Sequence, residues 1–379
     1  MSSSSRDVTM DEILHVLRDT APEFSGGLSN HGPMAAEALI ALGRADVALA
    51  WAEVYRKRLE VRPSPRQRIE AGRWREALGD PTRWADWVVL FGGELAESSW
   101  HEVVRRWLPR LAPAVIAAAA HGMLRTAHAI RSLERAETPA RRWELAEGLA
   151  YWAAAYQVLP GSPSGHTKKL TPEAALHRVP RATSASGAKG TSGLIADQLR
   201  CLDDDLAFRG VIDLVDATTP PLELLSQLTA TFARVFVVNR RNTIALLHAV
   251  TASSATRILL PFLSVPDAVL TVRYAWQACA ALHARYVPPG PAGVGGTGGD
   301  PATEGGAERS AGKAAGQPWV GNEVEPLIEN HQELIDRAVQ AGGAHTIKLT
   351  EACLREHALR PDPIFLRAAG EAAVRVGAI

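Results

Sequence analysis

The chain has 379 residues, enough to bury a substantial core in one large domain or two smaller ones. Its 41 basic residues balance 41 acidic residues, so no net charge favours nucleic acid or an anionic membrane surface. Three widely spaced cysteines support neither a disulfide framework nor a thiolate metal site, and they are typical of a reducing compartment. A small molecule is therefore the expected partner.

The first residues, "MSSSSRDVTMDEILHVL", are polar before they become amphipathic. They lack the charged start, apolar run and small-residue cleavage site of a secretory signal. No apolar run approaches the roughly 18 residues that cross a bilayer. We therefore predict a cytoplasmic protein that does not bind a membrane.

Apolar residues recur at helical spacing along most of the chain, most clearly at residues 13–17, 38–42 and 100–111. The apolar stretch "PAVIAAAAHGML", residues 113–124, indicates a buried helix. Another helix is predicted to start after Pro220 and Pro221 and to continue through "ARVFVVNRRNTIALLHAV". Since no run alternates with period two, we predict an all-α fold, a single large multi-helix globular domain over residues 1–379.

Two segments interrupt this helical pattern. Residues 160–193 are rich in Gly, Ser, Pro and Lys and predict a long loop. Residues 288–318 form a Gly/Pro/Ala-rich insertion that we expect to be disordered. The insertion contains "GVGGTG", a formal match to the dinucleotide fingerprint, but a proline-rich segment precedes it where the fingerprint needs a strand. We therefore do not expect NAD or FAD to bind there.

Four of the twelve histidines lie in apolar surroundings. His121 follows a run of alanines, His248 lies in a stretch whose one charge is Arg257, and His31 precedes a proline that opens an apolar helix. His345 is the fourth, in "AGGAHTIKL". Each alone could be a core histidine bonded to a carbonyl or a water. Four buried imidazoles together are most economically satisfied by one shared cation, which predicts a buried metal site.

Lys348 lies three residues after His345 and shares its helix face. It could extend to the surface along its aliphatic stem. Alternatively it is buried beside the metal, where its neutral amine can react with carbon dioxide to form a carbamate. Four imidazoles and a carbamate oxygen would fill five octahedral positions on a first-row metal and leave one for dioxygen.

At these residues the sequence resembles the questin oxidase-like family, all-helical enzymes that tailor aromatic polyketides. The resemblance runs in order along nearly the whole chain, through "NHGPMAAEALIALG" at 30, "HGMLRTAHAIRSL" at 121, "LAYWAAAYQVLP" at 149, "LLHAVTASSATRILLPFL" at 246 and "HTIKL" at 345. It implies an Fe(II) site with a carbon dioxide-derived carbamate as the fifth ligand. The implied ligands are His31, His121, His248, His345 and Lys348.

The chain departs from the expected pattern just before His345, where "GGAH" replaces an acidic residue. His331 is therefore an alternative ligand. His128, seven residues after His121, could support a ligand through a hydrogen bond or could be an interior packing residue. Trp152 and Tyr156, one helical turn apart, could stack on a planar substrate or belong to the core.

The leading hypothesis is a non-haem iron(II) oxygenase or dioxygenase that uses O2 to cleave a ring of an anthraquinone- or anthrone-like polyketide. A second hypothesis is a Baeyer–Villiger-type oxidation of the same planar aromatic substrates, which would need NADPH as a reductant. A third, from another class, is a helical binding protein whose histidines are structural.

Overall fold

The computed structural model describes residues 3–182, 193–288 and 327–377, with the backbone alone for residues 3–8. Within these ranges the chain forms fifteen α-helices and one two-stranded hairpin. The first half contains α1 Ser3–Leu17, β1 Glu23–Phe24, β2 Leu28–Ser29, α2 Gly32–Ala41, α3 Ala45–Arg56, α4 Trp84–Glu97, α5 Trp100–Leu111, α6 His121–Arg135, α7 Pro139–Ala154 and α8 Pro172–Leu176. The second half contains α9 Ile195–Leu199, α10 Pro221–Val238, α11 Thr243–Leu259, α12 Val265–Tyr286, α13 His331–Ala341, α14 Ala344–Leu359 and α15 Pro363–Arg375.

The predicted all-α class and single domain are confirmed for this part of the chain. Several helix starts follow directly from local sequence. Ser99 accepts from the Glu102 backbone N–H while the Glu102 side chain accepts from Ser99, a capping box that starts α5. Ser264 and Asp362 cap α12 and α15, each through a side-chain oxygen that accepts from a backbone N–H of the first turn. Pro33 and Pro221 stand in the first turns of α2 and α10.

The prediction of a helix over residues 113–124 is wrong for its first part. Residues 112–114 form a single 3-10 turn, and Ala118, Ala119 and Ala120 all have positive φ, at 49°, 56° and 71°. Helix α6 therefore begins only at His121. Left-handed backbone is costly for a residue with a Cβ, so this turn persists only because its surroundings impose it.

The continuous helix predicted from Pro221 through residue 250 is interrupted. Helix α10 ends at Val238, and α11 begins at Thr243 after Asn242, whose φ is +55°. Asparagine tolerates the left-handed region better than most residues, and its amide donates to the Tyr286 carbonyl at 2.8 Å. The break lets α11 turn back and pack beside α10.

The two irregular segments are described only in part. Residues 160–182 contain the short helix α8 and one isolated bridge, Leu170 to Val215, in an otherwise irregular stretch. Residues 183–192 and 289–326 lie outside the described residues. The prediction for the insertion at 288–318, including "GVGGTG", therefore falls there.

Two helical segments, Pro221–Val238 and Thr243–Phe262, are long and apolar enough to cross a membrane by length and composition. In the fold, less than half of the first and most of the second is buried against other helices. Buried core helices commonly meet the same criterion, so this is weak support for a membrane span.

Four helices pack around one point near the middle of the chain's fold. Helix α2 contacts α6 and α14, and α11 contacts the same two helices. Helices α6 and α7 approach closely because both carry glycine at their crossing. A Cβ on Gly122 would lie 2.5 Å from Trp152 Cα, and one on Gly148 would lie 2.9 Å from the Thr126 backbone nitrogen. Each of the four central helices brings one histidine to the point where they meet.

Candidate metal centre

The four predicted histidines enter the centre from different positions on their helices. His31 is the N-cap residue of α2, and His121 is the first residue of α6. His345 lies in the first turn of α14, and His248 lies in the second turn of α11. The N-termini of α2, α6 and α14 therefore meet near the imidazoles. The partial positive charge of these helix ends disfavours the protonated form of the rings and favours a bound anion.

The structure brings all four imidazoles together. The Nε2 atoms of His31 and His121 are 2.8 Å apart, and those of His248 and His121 are 3.1 Å apart. The ring centroid of His345 lies 4.4 Å from that of His31 and 5.2 Å from that of His248. Ring nitrogens of His31, His121 and His345 all fall within 4.8 Å of one another. Four side chains whose positions span residues 31–345 of the sequence thus share one small volume.

The hydrogen bonds of His121 and His248 fix their tautomers. His121 Nδ1 lies 2.6 Å from the Ala118 carbonyl oxygen, and His248 Nδ1 lies 2.6 Å from the Ile244 carbonyl oxygen. A carbonyl can only accept, so each Nδ1 carries the proton and donates. In the neutral rings, both Nε2 atoms are then unprotonated and carry a lone pair. These two Nε2 atoms face each other at 3.1 Å. A proton on His31 Nε2 could form a hydrogen bond to His121 Nε2, but it would leave the contact between His121 and His248 unchanged.

The facing lone pairs of His121 and His248 repel each other. Protonation of one ring would relieve this repulsion, but burial makes it unfavourable. Burial lowers the pKa of His248 to about 3, with a further contribution from the charge of Lys348. Burial, together with neighbouring cations, also lowers the pKa of His31 and His121 well below their ordinary value. The imidazoles of His31, His121 and His248 therefore stay neutral and keep their lone pairs at neutral pH.

The spacing of these nitrogens fits a shared metal ion. Two nitrogens bound at right angles to one ion, each at about 2.1 Å, are about 3.0 Å apart. The observed separations of 2.8 and 3.1 Å bracket that value. Metal-binding histidines commonly donate their other ring N–H to a backbone carbonyl, as His121 and His248 do here.

Lys348 is buried, with 2% of its surface exposed. It lies close enough to the imidazoles for its charge to lower the pKa of His31, His121 and His248. Burial in turn lowers the pKa of Lys348 from 10.5 to about 7, which leaves a large neutral fraction at neutral pH. Of the two alternatives for this residue, extension to the surface is thus wrong.

Two buried ion clusters hold the four helices in register. Arg131 on α6 pairs with Glu37 on α2 and with Glu351 on α14. Glu356 on α14 accepts from Ser254 and Arg257 on α11, each at 2.8 Å. These contacts link every helix that carries one of the histidines, so the geometry of the centre depends on them.

His128 belongs to the first of these clusters. Its Nδ1 lies 2.8 Å from Glu37 Oε2, and among the described contacts none joins it to the four central imidazoles. Its described partner is thus the Glu37 carboxylate of the ion cluster. The sequence carried a signal for the cluster, because Glu37 stands alone in the apolar run "GPMAAEALIALG" and had to find a buried partner.

His331, the alternative ligand, lies elsewhere. It is exposed at the start of α13, and its ring packs against His357 at 5.5 Å. The structure therefore brings His345, and not His331, to the other three histidines.

A cavity of about 980 Å³ opens onto the centre, and His31, His121, His248 and His345 form part of its wall. Most of the remaining wall is apolar, including Phe24, Leu39 and Ile347. Such a volume and lining suit a small organic molecule.

Only one of the two predicted aromatic substrate contacts lines this cavity. Tyr156 is in its wall. Trp152 is fully buried in the core, where its Nε1–H donates to the Ala114 carbonyl at 2.8 Å, so a stacking role for Trp152 is not supported.

A second pair of aromatic residues, missed from the sequence, does line the cavity. Trp51 and Tyr55 stack with centroids 4.9 Å apart, and the Tyr55 hydroxyl accepts from the His31 backbone N–H at 3.0 Å. Their i, i+4 spacing is the same signal that indicated Trp152 and Tyr156. Spacing alone does not show which members of the two pairs face the cavity.

A family model described as Questin oxidase-like matches residues 28–350 of the chain. The matched range includes all four histidines and Lys348. No curated protein and no solved structure matches the chain.

Proposed function

The chain belongs to the questin oxidase-like family, which makes it an oxidoreductase, and from that membership we propose a non-haem iron(II) oxygenase of aromatic polyketides. In this proposal the enzyme uses dioxygen to cleave a ring of an anthraquinone- or anthrone-like substrate. The ion would be held by His31, His121, His248 and His345, with Lys348 as a carbamate.

One observation carries the metal proposal: the bare Nε2 atoms of His121 and His248 face each other at 3.1 Å. Their Nδ1 protons are committed to carbonyl oxygens, and burial disfavours a further proton. A cation between these lone pairs removes the repulsion. In a helical binding protein with purely structural histidines, nothing would compensate the repulsion between these lone pairs.

As a carbamate, Lys348 would supply a negatively charged ligand beside the four neutral imidazoles. It is buried beside them, where an ammonium group would repel a metal cation. The neutral amine would instead react with carbon dioxide and release one proton, which gives a carbamate whose anionic oxygen attracts the cation. The positive ends of α2, α6 and α14 favour the same anion.

The rest of the cavity would bind the substrate and exclude water. Trp51 and Tyr55 offer flat faces against which a fused ring system can stack, and Tyr156 lies in the same wall. The hydrogen bond from the His31 backbone to Tyr55 fixes the aromatic wall relative to the imidazoles. When bound, iron(II) supplies the electron-transfer chemistry that dioxygen needs to react with a closed-shell aromatic.

The test is oxygen consumption by protein reconstituted anaerobically with iron(II), measured with a panel of hydroxyanthraquinones and anthrones and without NADPH. We expect uptake of one O2 per substrate and a product heavier by two oxygen atoms. Uptake that requires NADPH, with one oxygen atom gained, would replace the ring-cleaving dioxygenase by a Baeyer–Villiger-type oxidation. No oxidation of any of these substrates under either condition would contradict the proposed substrate class.

A further inference from the structure

The carboxylate of Glu23, in the cavity wall, accepts the last hydrogen bond of a chain that runs from Ser29 through Tyr151. The Tyr151 hydroxyl is 2.8 Å from Glu23 Oε1 and 2.7 Å from Ser29 Oγ. An ionised carboxylate can only accept, so Tyr151 donates to Glu23, and Ser29 in turn donates to Tyr151. The chain delivers a hydrogen bond to one oxygen of Glu23 and fixes the carboxylate at the wall.

The hairpin places this carboxylate in the same cavity as the imidazoles. Glu23 pairs with Ser29 across β1 and β2, and His31 follows Ser29 by two residues. Glu23, Ser29 and His31 all line the cavity.

The surroundings of Glu23 are typical of a proton acceptor. Burial raises its pKa, the Tyr151 hydrogen bond opposes that rise, and the nearby carboxylates of Asp197 and Glu60 add to it. Tyr151 itself keeps its proton, because burial raises its pKa well above the ordinary value. A carboxylate with a raised pKa is a stronger base than an exposed one, which suits it to accept a proton from a weak acid.

We propose that Glu23 is the residue that accepts the proton of a phenolic hydroxyl on the substrate, so the substrate class is hydroxylated aromatics. The inference rests on the proposed function. In this step the phenolic O–H bond breaks, the proton bonds to a Glu23 carboxylate oxygen, and the electron pair remains on the substrate oxygen. No electron is transferred in the step. The resulting phenolate is more electron-rich than the phenol and is therefore easier for dioxygen to oxidise.

The experiment uses the metal-free full chain and the dye 2-hydroxyanthraquinone, whose absorption band moves to longer wavelength when its phenol ionises. Binding is measured at a pH just above the dye's own pKa, by absorbance and by calorimetry in buffers of different ionisation enthalpy. In the wild-type protein two negative charges are unfavourable in the same site, so Glu23 takes up one proton when the phenolate binds. The bound dye keeps its long-wavelength band, and about one proton is taken up per dye. Proton uptake with loss of that band would place the proton on the dye and contradict the proposal.

The Glu23→Gln variant is expected to bind the dye without proton uptake and to leave the long-wavelength band in place. Glu60→Gln is the matched control, since Glu60 is a neighbouring acid that accepts from the Ser25 backbone but does not line the cavity. It should take up a proton on binding the dye as the wild-type protein does, because the acceptor Glu23 is retained. In the iron-loaded enzyme, Glu23→Gln should lower kcat by about 10²-fold with little change in KM.

The two possible failures can be told apart. If the wild-type protein does not bind the dye at any pH, the proposed substrate class is wrong and the inference falls with it. If the dye binds and the wild-type and Glu23→Gln proteins take up protons equally, Glu23 is not the acceptor, while the proposed function stands. Equal dye affinity of the two proteins at a pH where the dye is neutral shows that the variant's cavity is intact.

Discussion

Replacement of His248 by alanine is expected to lower the affinity for iron(II) by more than about 10²-fold and to abolish substrate-dependent oxygen uptake. Loss of groups that only support a metal ligand already costs 10- to 100-fold, and His248 contributes one of the two facing lone pairs itself. Removal of that lone pair also ends the repulsion that the metal relieves. The measurement is iron content after anaerobic reconstitution and gel filtration, followed by oxygen uptake.

His331→Ala is the matched control, because His331 is an exposed histidine in the same chain and was the alternative ligand on sequence grounds. It should retain the wild-type iron content and activity. Equal iron content in His248→Ala and wild-type protein would contradict the assignment of the centre. A thermal midpoint within a few degrees of wild type shows that a loss of iron does not come from unfolding.

Replacement of Arg131 by alanine is expected to destabilise the fold by about 3–5 kcal/mol, because it leaves two buried carboxylates without their shared partner. Arg131 pairs with both Glu37 and Glu351, whose side chains are 2% and 5% exposed. Chemical denaturation of the metal-free protein measures the effect. Since the cluster aligns three of the helices that carry histidines, iron binding should weaken as well.

Arg135→Ala provides the comparison, because Arg135 pairs with the same Glu37 at 3.5 Å but is 36% exposed. An exposed ion pair contributes little, so this variant should stay within about 1 kcal/mol of wild type. Equal losses of stability in the two variants would contradict the claim that the buried ion pairs of Arg131 stabilise the fold more than the exposed pair of Arg135.

The same cluster predicts how stability falls in acid. Burial alone would raise the pKa of Glu351, but the charges of Arg131 and Arg355 outweigh it and lower the pKa from 4.5 to about 2. The pairs therefore contribute fully above about pH 4.5, and their contribution is lost as pH falls toward 2. The acid-side loss of stability should be smaller in Arg131→Ala than in the wild-type protein.

The sequence predicted the histidine set through burial, because a run without charges has to lie inside and an imidazole inside needs partners. His121 and His248 both met this criterion. The structure adds the positions of Ala118 and Ile244, whose carbonyls fix the tautomers. Those contacts depend on local backbone geometry, and at Ala118–Ala120 three successive left-handed alanines contradict their own helix propensity. Tertiary packing decides such a turn, so composition could not predict it.

Residues whose role depends on the direction a helix faces were harder to predict. Trp152 and Trp51 both begin an aromatic i, i+4 pair, yet only Trp51 faces the cavity. Glu23 carried no signal in the sequence, because its importance comes from a hydrogen bond to Tyr151, 128 residues away. Periodicity gives the faces of a helix, but it does not show which neighbour each face meets.

Anomalous diffraction from crystals reconstituted with iron(II), recorded on both sides of the iron absorption edge, tests the metal centre most directly. We expect one peak within about 2 Å of ring nitrogens of His31, His121, His248 and His345, with additional density on the Lys348 amine. A centre without that peak, with His121 and His248 still 3.1 Å apart, would contradict the account.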